Sequence, residues 1–483
     1  MTHTFLWHDY ETFGIDPRRD RPAQFAAIRT DAQLNIVGEP INLLCKPAPD
    51  YLPDPASCLV TGITPQQCLQ SGVAEQAFAE RIHAELAQPG TIGVGYNSIR
   101  FDDEFTRFLF WRNLIDPYGR EWQNECGRWD LLDVMRLAHA LRPDGIVWPK
   151  HEDGSTSFKL EHLSAANGLK HEAAHDALSD VYATIAVARL LQQQQPRLFD
   201  FALKLRSKHA VAQEMGLPAD SQQAQPFLHV SGMLPVQYGC MAVMWPLASH
   251  PSNRNEVIAW DLRFNPQELA SLSAADIRAR LFVRADELPE GVQRLPIKTI
   301  HLNRSPMVVR NLNVLSPQQA ERWHIDLSQA ARHAEMARAL PDMSSIWAEV
   351  FSRPDQLGDE TGVDGGLYAG FVSTDDRRKL EQLGTLPAAD LADARTGFED
   401  ERLEEVFWRY RARNFPQTLS ADEQQRWHAH CAARLMDGQD KARTVDDLLE
   451  ALDTLYPDAD VQGQTVLDAL QDYAQEIVPD GAG

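Results

Sequence analysis

The strongest constraint on the fold is the alternation, over the first 194 residues, of strand-length apolar runs with longer runs of helical spacing. Phe5 to His8, Phe25 to Arg29, Ile41 to Lys46 and Thr91 to Tyr96 read as strands. Phe101 to Asn113, Asp130 to Leu141 and Asp176 to Gln193 read as helices. Adjacent early strands followed by mixed elements predict an α/β sheet with helices packed on its faces. The glutamines at 192 to 195 and Pro196 mark a boundary, and Leu198 to Met215 reads as a helical connector. Between Phe227 and Val309 the texture turns β-rich. Phe227 to Val230, Met241 to Leu247, Val257 to Leu262, Leu281 to Val283 and Ile297 to Leu302 are separated by Pro, Gly and Asn clusters, predicting a small antiparallel barrel or sheet. From Pro354 onward the spacing is helical, as in Leu448, Leu452 and Leu455, then Val466, Leu470, Tyr473 and Ile477. Three domains are expected, over 1–195, 196–350 and 351–483, in keeping with a chain of 483 residues.

Composition excludes several classes of protein. With 43% hydrophobic and 24% charged residues the chain is globular, neither disordered nor fibrous. The N-terminus lacks a basic stretch followed by an apolar one, and charges interrupt every apolar run before membrane-spanning length, so a cytoplasmic location is expected. Cys45, Cys58, Cys68, Cys126, Cys240 and Cys431 are scattered, without a C-x-x-C pair, which fits a reducing compartment and argues against structural zinc. The formal net charge of −23 argues against a protein that coats duplex DNA through a basic face. It remains compatible with carboxylates that hold metal ions beside one local basic groove.

Three segments carry candidate chemistry. Asp9-Tyr10-Glu11-Thr12-Phe13-Gly14 follows the apolar run Phe5-Leu6-Trp7. Residues two apart in a strand share a face, so Asp9 and Glu11 present two carboxylates to one point, a hard-oxygen set suited to Mg²⁺ or Mn²⁺. Alone, such a pair is more often a solvated strand end. Asp102-Asp103-Glu104 opens a helix after a strand, where carboxylates often serve only to complement the helix dipole. His175 and Asp180 lie five apart on the way into an amphipathic helix, which gives them different roles. Asp180 completes a metal site, and a neutral His175 is suited to accept a proton from water, although a lone His before a helix is usually structural.

Taken in order, a strand D-x-E, an Asp after a later strand and H-x4-D near the end of the same domain resemble the His-containing branch of the DEDD exonucleases. Residues 20–31 (Asp-Arg-Pro-Ala-Gln-Phe-Ala-Ala-Ile-Arg-Thr-Asp), Thr61 to Gln66, Arg128 to Arg136 and Arg411 to Pro416 are similar to the bacterial exodeoxyribonuclease I family, and the likeness spans essentially the whole chain. The resemblance implies a ribonuclease H-like exonuclease domain, a small Src-homology-like β-barrel and a helical C-terminal domain around a strand-binding groove. It implies a 3′→5′ exonuclease that releases 5′-mononucleotides from single-stranded DNA with two Mg²⁺ ions, Mn²⁺ being a substitute. Asp9, Glu11 and Asp180 become metal ligands, Asp102 the supporting carboxylate and His175 the general base. Lys159 stands where the resemblance implies arginine, a point charge in place of a bidentate fork.

Gripping an unpaired strand takes cations and aromatic faces. Besides Glu11 and Lys159, the candidates for substrate contact are Arg107, Tyr118, Trp122, Arg128 and Arg136, with Arg254, Lys298 and Arg304 resting on charge alone. For the aromatics ordinary core packing competes equally, and for the helical arginines a solvated face does. The resemblance also implies a role in DNA repair and recombination, the single-stranded DNA-binding protein as partner, and a monomer. Two rival readings stand: a ribonuclease of the same superfamily trimming RNA 3′ ends, against which the two extra domains count, and a binding module that has lost its chemistry, against which all five filled positions count.

Overall fold

The structure is a computed structural model that describes residues 3–170, 176–217, 224–352 and 361–478. In chain order the first elements are β1 (Thr4–Thr12), β2 (Pro22–Thr30), β3 (Ile41–Leu44), α1 (Pro55–Thr61), α2 (Pro65–Ser71), α3 (Glu75–Leu86), β4 (Thr91–Gly95), α4 (Asp102–Arg112), β5 (Gly127–Asp130), α5 (Leu131–Leu141), α6 (Leu160–Ala166) and α7 (Ala177–Gln194). The chain divides into two compact units. One comprises Met1–Gly127, His171–Ile185 and Gln356–Gly483, the other Arg128–Lys170 and Ala186–Asp355.

In the first unit the strands run β3-β2-β1-β4, with β2 antiparallel to both β1 and β3, and β4 parallel to β1. Central β1 is buried on both faces: Phe5, Leu6 and Trp7 are at most 1% exposed. Its Leu6 and Tyr10 join Phe25 and Ala27 of β2 against Phe78, Ile82 and Leu86 of α3 and Leu109 and Phe110 of α4. Asp9 and Glu11, of opposite parity, project from the other face. Helices α1 and α2, which the sequence reading did not anticipate, are short and fixed by their starts: Asp54 and Thr64 cap them and a proline follows each cap.

The C-terminal segment of this unit is helical, as expected, with helices over Thr374–Gly384, Arg402–Asn414, Ala421–Asp437, Val445–Leu455 and Val461–Ile477. These helices share the core of the strands. Phe13, Tyr51, Cys58 and Cys68 pack with Leu448, Leu467, Leu470 and Tyr473, and Phe108 and Trp111 pack with Leu403, Val406 and Phe407. A buried ion cluster ties the same segments together. Arg413 reaches Asp50 at 2.7 Å and Asp364 at 2.5 Å, all three groups being at most 3% exposed, and Arg434 lies 3.3 Å from Asp50. Burial by itself raises the Asp50 and Asp364 carboxyls, but Arg413 above all brings both well below the ordinary carboxylate range. Their pairing therefore stabilises the fold at neutral pH and is lost only in strong acid.

The second unit holds a five-stranded sheet, β6 (Phe227–Val230), β7 (Met241–Ser249), β8 (Glu256–Asp261), β9 (Ile297–His301) and β10 (Met307–Val309), in the order β10-β6-β7-β8-β9 with every pairing antiparallel. Three details depart from the expectations. Leu281 is no strand residue: it closes a helix over Ala274–Leu281 that a capping box of Ser273 and Asp276 starts and that buries Ile277 and Leu281 on one side. The connector is two helices, Pro196–Lys204 and Lys208–Glu214. Asp130 ends β5 and caps α5 by accepting the Leu132 N–H at 3.0 Å, so the helix begins one residue later than read. All six cysteines are free and buried, and no helix among the described residues is long and apolar enough to cross a membrane.

Truncating Arg413 leaves two buried carboxylates without their main counter-charge. The Arg413→Ala variant should lose roughly 3–5 kcal/mol of unfolding free energy, measured by urea titration at neutral pH.

Candidate active site

Four carboxylates converge where β1 meets the first turns of α4 and α7. Strand alternation sets Asp9 and Glu11 side by side, and α7 brings Asp180, so that one ligand oxygen from each of the three lies within 4.8 Å of the others. Asp102, 2% exposed, opens α4. The turn that delivers it runs flush against β1: a Cβ on Gly95 would lie 2.6 Å from Ser98 Cβ and 2.9 Å from the His8 carbonyl oxygen. Asp102 Oδ1 accepts the Tyr10 N–H at 3.1 Å, between the two carboxylates of β1. The Tyr10 hydroxyl pairs with Thr106 Oγ1 at 3.0 Å, and that hydroxyl donates to the Asp102 carbonyl at 2.8 Å. Asp103 points elsewhere, accepting from Arg120 Nη2 at 2.6 Å, so the first aspartate of the pair is the one at the cluster.

Burial, and then crowding with Asp102 and Asp180, raises the affinity of Asp9 and Glu11 for protons. Asp9 is pushed well above the ordinary carboxylate range, first by burial and then by the charges of Asp102, Glu11 and Asp180. Glu11 is pushed up to about 8 by burial and then by Asp180 and Asp176. An oxygen-only cage with this much mutual repulsion fits a divalent hard cation, whose charge removes the penalty.

His175 lies outside the described residues. Its neighbour Asp176 accepts from Gln24 Nε2 at 3.3 Å and from the Ser179 N–H at 3.1 Å, while Gln24 Oε1 accepts the Ala177 N–H at 3.4 Å. Gln24 of β2 thus fixes the start of the helix that carries Asp180. The sequence reading passed over Gln24 because an amide in a strand carries no signal of its own; its only mark was membership of the segment at residues 20–31.

The expected strand contacts divide sharply. Trp122, in the first unit, is 68% exposed and offers a free ring. Tyr118 is half-buried beneath Arg107, whose guanidinium carbon lies 5.3 Å from its ring. Arg107 itself departs from the expectation of a cation open to substrate. It is 5% exposed and donates to both oxygens of Glu121 at 2.8 and 3.0 Å, to Glu104 at 2.8 Å and to the Tyr368 hydroxyl at 3.1 Å, an ion cluster that holds α4 to the C-terminal segment. In the second unit Lys159 is exposed near Glu161 at 3.5 Å, whereas Arg128 is 5% exposed and donates to the Asn303 carbonyl at 2.9 Å. Arg136 pairs with Asp133 at 2.6 Å and lies over Phe158, and Lys298 donates to Ser231 Oγ at 3.2 Å. Arg254 is exposed and Arg304 half-buried.

Comparison with known proteins covers nearly all of the chain. Models described as Exonuclease, Exonuclease I SH3-like domain and Exonuclease I C-terminal domain match residues 6–188, 206–353 and 361–477. Exodeoxyribonuclease I of Escherichia coli K12 is 44% identical over 480 residues, 98% of each chain. The solved exonuclease I of Methylocaldum szegediense superposes with a TM-score of 0.92 at 45% identity, covering 99% of this chain and 100% of that one. E. coli exonuclease I in complex with a dA16 oligonucleotide gives 0.91 at 42% identity and the same coverage; that enzyme has also been solved as a zinc-bound complex with single-stranded DNA, and an SSB/exonuclease I structure in complex with an inhibitor gives 0.89 at 42% identity. An oligoribonuclease of Marinobacter nauticus is 29% identical over 35% of this chain.

A carboxyl that holds its proton more tightly in the fold than in the unfolded chain costs stability once pH exceeds its unfolded value. The metal-free protein should therefore melt at progressively lower temperature between pH 5 and pH 8. Adding Mn²⁺ should raise the melting temperature more at pH 8 than at pH 6, as followed by differential scanning calorimetry; an equal rise at both would contradict the coupled carboxylates.

Proposed function

Because this chain belongs to the exodeoxyribonuclease I family, it is a 3′→5′ exonuclease that hydrolyses phosphodiesters, and we propose that it digests single-stranded DNA to 5′-mononucleotides in repair and recombination. The observation that carries this reading is the convergence of Asp9, Glu11 and Asp180 within 4.8 Å, braced by Asp102. Asp9, Glu11 and Asp180 are the residues to hold two divalent cations, Mg²⁺ with Mn²⁺ as a substitute; such ions supply Lewis-acid stabilisation of phosphate charge and a more acidic water.

The chain's own groups do the rest. Asp102, hydrogen-bonded to the backbone of β1, keeps the two strand carboxylates at a fixed spacing from α4. His175 takes the proton of the attacking water, a role that rests on the family pattern and on the ordinary chemistry of an imidazole. Trp122 supplies a stacking face for an unpaired base and Lys159 a phosphate contact, since both are exposed. Glu11 meets the 3′ end beside the cations. Tyr118, Arg128 and Arg136 contribute from less open positions, and Arg107 supports α4.

We divide the chain into an exonuclease domain (1–195), a Src-homology-like β domain with its connector (196–350) and a helical domain (351–483). The single-stranded DNA-binding protein is the proposed partner, given the solved SSB/exonuclease I structure. A monomer working in the cytoplasm is proposed, the latter supported by six free cysteines.

Two measurements test this reading. Single-stranded DNA labelled at the 3′ end should release labelled mononucleotide at once and 5′-labelled DNA only late, in Mg²⁺ and not with a chelator; preference for a matched RNA would favour a ribonuclease instead. His175→Ala should lower the rate by roughly 10²–10⁴-fold while leaving Mn²⁺ binding intact, and an unchanged rate across pH would remove His175 from the mechanism.

A further inference from the structure

The second unit sets two imidazoles side by side that the nuclease chemistry does not call on. His151, exposed, and His162, half-buried, have ring centres 5.8 Å apart and planes inclined at 67°. Two imidazoles that ligate one zinc ion, each through a nitrogen at about 2.0–2.1 Å, place their ring centres about 5–6 Å apart. The spacing of this pair is therefore already that of two histidines on one ion.

Both backbones are held in place. His151 opens a tight turn: its N–H donates to the Ser155 carbonyl at 2.8 Å, its carbonyl accepts the Gly154 N–H at 2.9 Å, and Asp153 accepts the Ser155 N–H at 2.8 Å. Lys150 and Thr156 form an antiparallel bridge across the arms of that turn. At its base Trp148 and Phe158 meet the ring of His139, with centroids 4.9 and 5.3 Å away. His162 rides on α6, which Leu160 and Leu163 anchor by their burial. Little more than side-chain torsion is left to settle when an ion arrives, and the exposed ring of His151 has room to turn.

A second observation concerns the nitrogens of His162. Its Nδ1 lies 2.8 Å from Oγ of Ser157, a residue that is 0% exposed. That oxygen accepts the Lys159 N–H at 3.4 Å, and a hydroxyl has a second lone pair to offer an Nδ1–H. With the proton on Nδ1, the lone pair of His162 falls on Nε2. Histidines that bind metals are held in this way, the other ring N–H given to a neighbouring acceptor that fixes tautomer and orientation.

We propose that His151 and His162 form a second metal site, which takes a divalent transition ion such as Zn²⁺ through His162 Nε2 and a ring nitrogen of His151, with water in the remaining positions. It differs in kind from the carboxylate cage. Asp9, Glu11 and Asp180 offer oxygen alone and suit Mg²⁺, whereas imidazole suits Zn²⁺ and leaves Mg²⁺ unbound. An ion held here ties the turn at residues 151–155 to α6 and stabilises that segment by mass action.

The test is calorimetric titration of the untagged, full-length protein with ZnCl₂ in an Asp9→Asn, Asp180→Asn background, which strips the cage of two oxygen ligands. Zn²⁺ should still bind, Mg²⁺ in excess should not displace it, and adding His151→Ala or His162→Ala should weaken the binding tenfold or more. Because His151 is exposed, its replacement leaves the fold intact, and His151→Ala alone should digest single-stranded DNA in Mg²⁺ at the unaltered rate. Absence of zinc binding in the cage variant, displacement by Mg²⁺, undiminished affinity without His151, or loss of digestion in His151→Ala overturns the proposal. The nuclease reading stands or falls separately, on digestion by the unaltered protein in Mg²⁺.

Discussion

Like charges held close together are the constraint on which this molecule is built. Asp9, Glu11, Asp102 and Asp180 would separate if each were free to do so, and their crowding is tolerated because every one is fixed by backbone that has other reasons to be where it is. Asp9 and Glu11 are carried by a strand whose flanking residues Phe5, Leu6 and Trp7 are fully packed. Asp102 is tied to that strand through Tyr10, and Asp180 follows from a helix start anchored by Gln24 to β2. The repulsion is then available to be relieved by a cation, which is how a stable scaffold stores the tendency to bind metal.

The scaffold draws on distant sequence. The C-terminal helices add their leucines to the core beneath Phe13 and Tyr51, and Arg413, Asp50 and Asp364 form ion pairs sealed from water. Arg107 belongs to the same pattern: its guanidinium joins Glu104, Glu121 and Tyr368. Arginine at such sites serves as a planar multi-donor connector. Such pairing is how this acidic protein buries arginines, Arg112 beside Glu75 and Arg120 beside Asp103 being further cases.

Much of this was legible in the sequence. The D-x-E pair could be placed because a strand has period two and an apolar run precedes it, and the relation of Asp180 to the rest followed from the order of motifs. The choice between Asp102 and Asp103 came from family pattern and has a physical basis in their opposite partners, β1 for one and Arg120 for the other. What could not be read was pairing between remote side chains. Arg107 looks like a free cation until Glu121 and Tyr368 are placed beside it, and Leu281 looks like part of a strand until Ser273 and Asp276 are recognised as a helix start. Short capped helices such as α1 and α2 escaped because seven residues are too few for periodicity to register.

The interleaving of first and last segments in one unit has a bearing on how the protein comes into being. As the chain is synthesised, the strand that carries Asp9 and Glu11 emerges long before the helices that pack beneath Phe13 and Tyr51, and Tyr473, whose hydroxyl donates to the Tyr51 carbonyl at 3.4 Å, follows Tyr51 by 422 residues. A ribosome-bound nascent chain thus has its acidic residues but lacks the body that holds them. Until the helix that carries Leu467, Leu470 and Tyr473 has emerged, Phe13 and Tyr51 lack the side chains that bury them, so the ground just beyond Glu11 is sealed late in synthesis.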